Sequence, residues 1–400
     1  MFRRRPFVHL FLTRPSSQPC NYQQRFSLVN IKLKWVKDPV LDTVVAVEKD
    51  LKAVCELKDM ICRHADGCLP IYQLSKRRRQ MGIEIRVSRF MRRYPTIFHE
   101  FIRHQNGCPL HCFKLTQEAR CLHEEEQRCQ EVSEEGTVQR LCKLLMLTKK
   151  RTLPLQTIDQ LKWDMGLFRD YDLSLIPRYP QLFQFVKLED DRIGLELSHW
   201  DCRLAVSQLE RNCGERCSEG DTRALAFAIK FTRGFGLRKK CMDWLREWQR
   251  LPYTSPYVDA SHLNPRTDES EKRIVGVFHE LLYLTIGRKT ERKNLSNLRK
   301  PLGLPQKFTK VFERHPGIFY ISQKSDTHTV ILREAFDAHQ LIEKHPLVGI
   351  REKYIEMMKT GFLNKSRGLY KKELRDGHWY DQGLVEMEAN QEETMDAFSE

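Results

Sequence analysis

The 400-residue sequence predicts an α+β fold, mainly α, in which one unit of three helices and a β-hairpin is repeated in about three imperfect copies. Two observations point there. A glycine followed 13, 14 and 13 residues later by a proline recurs three times, at Gly82/Pro95, Gly166/Pro180 and Gly303/Pro316, and each proline is followed by a phenylalanine. Around each pair the apolar period changes from helical before the proline to alternating after it.

Each unit is expected to open with an amphipathic helix, at Val40–Cys62, Val138–Leu147 and Lys272–Ile286. Leu69-Pro70-Ile71 and Leu153-Pro154-Leu155 precede the first two glycines at one offset, where the third copy has Glu291. The glycine suits a turn or a helix C-cap. From glycine to proline, Ile83, Val87, Phe90, Met91 and Tyr94 form one helical stripe, and Leu304, Phe308, Val311, Phe312 and His315 repeat it. The proline ends that helix by removing a donor and restricting its predecessor. Hairpins are then expected from Phe98–Arg103 with Leu110–Leu115 across Asn106-Gly107, from Leu182–Leu188 with Ile193–Leu197, and from Ile318–Ser322 with Thr329–Leu332. Helix, helix, helix, hairpin is the order of a winged-helix-like module. The copies are placed at about 38–118, 136–200 and 270–336.

The charge is the first functional signal. The chain carries a formal +15; residues 1–34 hold seven basic residues and no acid, and residues 376–400 hold eight acids and no Lys or Arg. Taking both ends away leaves +16 on residues 35–375, so the folded body is itself basic and suits a polyanion. The copies share this charge. Arg86, Arg89 and Arg93 follow Gly82 at the offsets at which Lys307, Lys310 and Arg314 follow Gly303, placing each trio on one helix face. Arg92 and the clusters Lys76, Arg77, Arg78, Arg79 and Arg288, Lys289, Arg292, Lys293 extend the candidate RNA-binding surface. The second copy keeps only Arg178, beside Asp170 and Asp172, and is expected to be architectural.

Other classes fall away. No apolar run approaches the roughly 20 residues of a membrane span. The thirteen cysteines are irregularly spaced, with no CxxC pair, and fit small buried hydrophobes in a reducing compartment. Neither a GxxxxGK[ST] loop nor an HExxH pair occurs, and no hydrolase signature surrounds a cysteine, so no enzyme activity, cofactor, metal or small-molecule substrate is expected. Cys108, His111, Cys112, Cys121 and His123 are the nearest approach to a zinc set, with Cys213 and Cys217 weaker. Arg233-Gly234-Phe235-Gly236 matches half of an RRM signature, and Leu237 and Lys240 break the rest. Residues 1–30, Arg-rich and acid-free, read as an organelle transit peptide; the arginine content favours mitochondria over chloroplasts. Residues 361–400 read as an acidic, disordered tail, and a protein-interaction scaffold or a cysteine hydrolase are the alternative classes.

The segments Lys34–Ile61, Leu69–Gly82, Arg86–Phe101, Trp248–Tyr257 and Arg299–Ser322 resemble the plant organelle RNA recognition (PORR) domain, and its WHAT'S THIS FACTOR branch most. The resemblance runs from about residue 35 to about 360. It implies an organellar protein that binds group II intron RNA and promotes splicing with other nuclear-encoded factors, without catalytic residues.

Overall fold

Helices outweigh strands in the computed structural model, at 46% to 15%. It describes residues 33, 35–105, 108–214, 225–232, 235–236, 239–325 and 327–366. The transit-peptide segment, the Asn106-Gly107 turn, Cys217, Arg233-Gly234, Leu237 and the tail beyond Ser366 lie outside the described residues.

Unit 1 runs α1 (Pro39–Val47), α2 (Leu51–Arg63), β1 (Cys68–Pro70), α3 (Ile71–Ser75), α4 (Val87–Met91), β2 (Phe98–Gln105) and β3 (Cys108–Leu115). After α5 (Gln117–Val132), unit 2 runs α6 (Glu134–Met146), β4 (Thr152–Pro154), α7 (Leu155–Met165), α8 (Tyr171–Ser174), β5 (Phe183–Lys187) and β6 (Ile193–Leu197). Then α9 (Gln208–Gly214) and α10 (Lys239–Gln249) lead to unit 3: α11 (Asp268–Leu284), β7 (Lys289–Glu291), α12 (Arg292–Ser296), α13 (Lys310–Arg314), β8 (Phe319–Ser322) and β9 (Thr329–Leu332). A short ladder of β10 (Phe336–Asp337) and β11 (Gln340–Leu341) precedes α14 (Pro346–Ser366), whose end runs into the segment assigned to the tail.

Each unit holds one small antiparallel sheet, ordered β1-β3-β2, β4-β6-β5 and β7-β9-β8. The three-residue strand before each glycine therefore pairs with the second hairpin strand, as in Leu69 opposite Phe113, Leu153 opposite Leu195 and Thr290 opposite Val330. Pro70, Pro154 and Glu291 end these strands and cap the next helix with extended backbone, a conformation proline favours but glutamate also adopts.

The backbone repeats at single bonds. Gly82, Gly166 and Gly303 have φ of 70°, 67° and 64°. Around each, two N–H groups close the same Schellman turn: Gly82 to Arg79 and Ile83 to Arg78, Gly166 to Trp163 and Leu167 to Lys162, Gly303 to Lys300 and Leu304 to Arg299. The residue just before the short strand is also left-handed in all three, at Gly67, Arg151 and Arg288.

Two sequence expectations need correction. The helix drawn from Val40 to Cys62 breaks at Glu48–Asp50, since α1 and α2 pack on different neighbours. The glycine-to-proline stretches are mostly turns holding short helices: α4 starts only at Val87, and α13 only at Lys310. All ten residues of the two stripes are nonetheless buried. Tertiary packing, not helix length, satisfies them, because such short helices have no independent stability.

The first and last described helices cross over. Leu41 and Val45 of α1 join the large core shared by units 2 and 3, while Ile350, Tyr354, Ile355 and Met358 of α14 complete the core of unit 1. Tyr320 donates to Asp42, and its hydroxyl accepts the Asp38 N–H, so α1 is fastened to the third hairpin.

Candidate nucleic-acid interface

The end of each glycine-to-proline stretch reaches back to an acid at or near the N-terminus of an earlier helix in its unit. Tyr94 donates to Asp50 at 2.6 Å, Tyr179 to Glu134 at 2.9 Å, and His315 Nε2 lies 2.7 Å from Glu271. The neighbouring arginines of units 2 and 3 use the same acids: Arg178 pairs with Glu134 at 2.7 Å and Arg314 with Glu271 at 2.5 Å. Arg314 also faces the Trp244 ring, so it serves the core. Arg93, its counterpart in unit 1, is half-buried and meets no carboxylate among the described residues.

The candidate cations thus separate by what surrounds them. Lys76, Arg77 and Arg79 project from the turn after α3, and Arg89 from α4, which packs on α3; all four are exposed. Arg78 beside them is half-buried. Among the described residues no carboxylate lies within ion-pair distance of Lys76, Arg77, Arg78, Arg79 or Arg89. Arg86 caps α4 from outside and is exposed, so of the first trio only Arg89 stands within a helix. Arg92 is held in a two-pronged pair by Glu100, 2.7 Å at each prong. In unit 3, Lys300, Lys307 and Lys310 are exposed with no carboxylate partner among the described residues. The second cluster is mostly engaged. Arg288 is half-buried over Tyr283, donating to the Thr285 carbonyl at 2.9 Å, and Lys289 pairs with Glu48 at 2.9 Å. Arg292 meets Glu313 at 3.5 Å and Lys293 meets Glu291 at 2.7 Å.

Sequence reasoning missed Lys149. Its backbone N–H donates to the Pro301 carbonyl and its side chain passes over Gly303, placing a cation of unit 2 on the surface of unit 3. No spacing rule connects residues 149 and 303. Tyr72 was missed too, although its place beside Lys76–Arg79 was a legible signal.

Among the described residues the zinc set does not assemble. His111 lies 3.2 Å from Glu100, while its strand neighbour Cys112 is buried on the other side of the pleat. One group among the described residues, Asp59, His123 and Glu126, brings donor atoms within 4.8 Å. The Lys58 ammonium fills it, 2.9 Å from Asp59, 3.1 Å from His123 Nδ1 and hydrogen-bonded to Glu126, so the cation there is the protein's own. Burial pushes the Cys55 and Cys142 thiols up to about 12, which makes both poor nucleophiles. Phe235 of the half-matched RRM signature stacks on Phe231, 4.7 Å between centroids.

A family model described as the plant organelle RNA recognition domain matches residues 36–363. The chain belongs to the PORR family. Among PORR relatives it is 38% identical to Protein WHAT'S THIS FACTOR 9, mitochondrial, of Arabidopsis thaliana, over 87% of this chain and 90% of that one. It is 35% identical to Protein WHAT'S THIS FACTOR 1, chloroplastic, of Zea mays, over 79% of this chain but only 65% of that longer protein. Protein ROOT PRIMORDIUM DEFECTIVE 1 of Arabidopsis thaliana is 28% identical over 88% of each chain. No solved structure matches. PORR membership carries the functional class: RNA binding in an organelle, in group II intron splicing. Among the described residues, no helix of this PORR chain is long and apolar enough to cross a membrane.

Proposed function

We propose that this protein acts in mitochondria, imported by residues 1–30, and that its 35–360 body grips group II intron RNA through two basic faces. One is built from Lys76, Arg77, Arg79, Arg86 and Arg89 of unit 1, the other from Lys300, Lys307, Lys310 and Lys149 around unit 3. The units are read as winged-helix-like, with unit 2 an architectural spacer whose one retained cation is committed to Glu134. The observation that carries the reading is that Lys76, Arg77, Arg79 and Arg89, around α3 and α4, are exposed with no carboxylate within ion-pair distance among the described residues. A cluster left unneutralised at net positive charge releases counterions when phosphates replace them.

The contribution to splicing is binding energy. Intron RNA catalyses its own cleavage once compact, and a basic scaffold offsets phosphate repulsion in that conformer. Other nuclear-encoded factors are proposed to share the RNA. The organelle assignment is supported by the acid-free leader and by the mitochondrial relative; fusing residues 1–50 to a fluorescent reporter tests it, and chloroplast import would overturn it.

The binding test is affinity for single-stranded intron RNA against salt. Substituting Arg77, Arg79 and Arg89 together by alanine is expected to flatten the log–log slope by about 2, three phosphate contacts at roughly 0.7 each. An unchanged slope would leave these arginines as a solvated face and remove the proposal's support. Arg92→Ala, which breaks the pair with Glu100, is expected to change the slope far less.

A further inference from the structure

We propose that Tyr72 is a stacking platform for an unpaired base of the bound RNA, which makes the unit 1 face a reader of single-stranded segments. The inference rests on the RNA-binding reading above and deepens it.

Tyr72 lies on α3 and is 46% exposed, so nearly half of its surface faces solvent. Its hydroxyl accepts from Gln73 Nε2 at 3.2 Å, and the Lys76 ammonium stands 5.9 Å from the ring centroid. A single exposed tyrosine needs no explanation by itself. The repeat supplies one. The residue two places after the end of the short strand is Tyr72 in unit 1, Gln156 in unit 2 and Lys293 in unit 3, and it is exposed in all three. The fold therefore makes no packing demand for an aromatic ring at this position. The ring occurs where Lys76, Arg77, Arg79 and Arg89 gather, and a glutamine replaces it in the unit whose cations are few or paired.

Exposed aromatic faces among cations are how proteins hold single-stranded nucleic acid: the cations track phosphates while bases stack on the ring, whatever their identity. A duplex offers no such base, because its bases are already stacked on one another. An acidic protein partner would meet the same cations but would have no use for a stacking face that discriminates strand state.

The full-length protein is titrated with a 12-nucleotide single-stranded RNA and with a blunt duplex of equal length, across a series of KCl concentrations. Tyr72→Gln installs the residue that unit 2 already carries on the same scaffold, so folding is preserved by design, and circular dichroism confirms it. The expected result is a loss on the order of tenfold for the single strand at every salt concentration, with the salt slope unchanged. Tyr72→Trp is expected to restore affinity, and duplex binding to stay within about twofold. Single-strand binding by Tyr72→Gln equal to that of the unaltered protein would overturn the inference, as would an equal loss on both RNAs. If Arg77, Arg79 and Arg89 still set the slope in that case, only the stacking role fails. If the unaltered protein binds neither RNA, the RNA reading falls with it.

Discussion

Single residues carry much of the backbone geometry, and the three glycines show how. At φ near +65° a side chain costs on the order of 1 kcal/mol from its own backbone alone. A Cβ on Gly82 would meet open space, whereas on Gly166 it would press Ile286 and Leu347 at 3.1–3.2 Å. Gly82→Ala is therefore expected to lower stability by about 1 kcal/mol and Gly166→Ala by clearly more, read as urea midpoints. Charge acts at the same scale around Lys58. Hydrogen bonds with Cys62 and then Glu126 push His123 up to about 9. Burial opposes ionisation of Glu126, but His123 and Lys58 hold it down at about 2. The His123 value is raised on folding, so its contribution is complete below the ordinary 6.5 and is lost as pH rises through about 9. Urea midpoints measured from pH 6 to 9.5 should fall in the unaltered protein and fall less in His123→Gln; parallel curves would refute this coupling.

Elements were legible to different depths. The hairpins at Phe98–Gln105 with Cys108–Leu115, Phe183–Lys187 with Ile193–Leu197, and Phe319–Ser322 with Thr329–Leu332 form where the sequence placed them, although the third is buried on both faces and does not alternate. The short strands β1, β4 and β7 did not announce themselves, because three residues are too few for a period to show. Helix α4 was over-extended for the opposite reason: a stripe of apolar side chains satisfies a turn packed on a core as well as it satisfies a helix. For the candidate site this matters directly. Shared offsets put Arg93 and Arg314 in corresponding places, yet Arg93 meets no carboxylate among the described residues and Arg314 is claimed by Glu271. Offsets report position along the chain; which cation is neutralised depends on a carboxylate some forty residues away.

The body as a whole is held together by its first and last described helices. Asp38, just before α1, takes the Arg333 guanidinium at 2.8 Å, with Thr232 bonded to both; Asp38 and Arg333 are buried and Thr232 is half-buried. Arg333→Met strands a buried carboxylate and is expected to cost about 3–5 kcal/mol, while adding Asp38→Asn should recover a large part of it. Additive losses in that double-mutant cycle would argue against the pair. What the amino-acid order determined by itself was local: the left-handed glycines, the apolar stripes, the hairpins, the basic balance and the family motifs all depend on neighbours within about fifteen residues. Tertiary structure alone decided that α1 closes the third unit and α14 the first, that Lys149 crosses Gly303, and that Arg77, Arg79 and Arg89 stay exposed with no acid in reach among the described residues. Those outcomes depend on burial and on partners distant in sequence, where desolvation decides whether a charge pairs inward or stays in water for RNA.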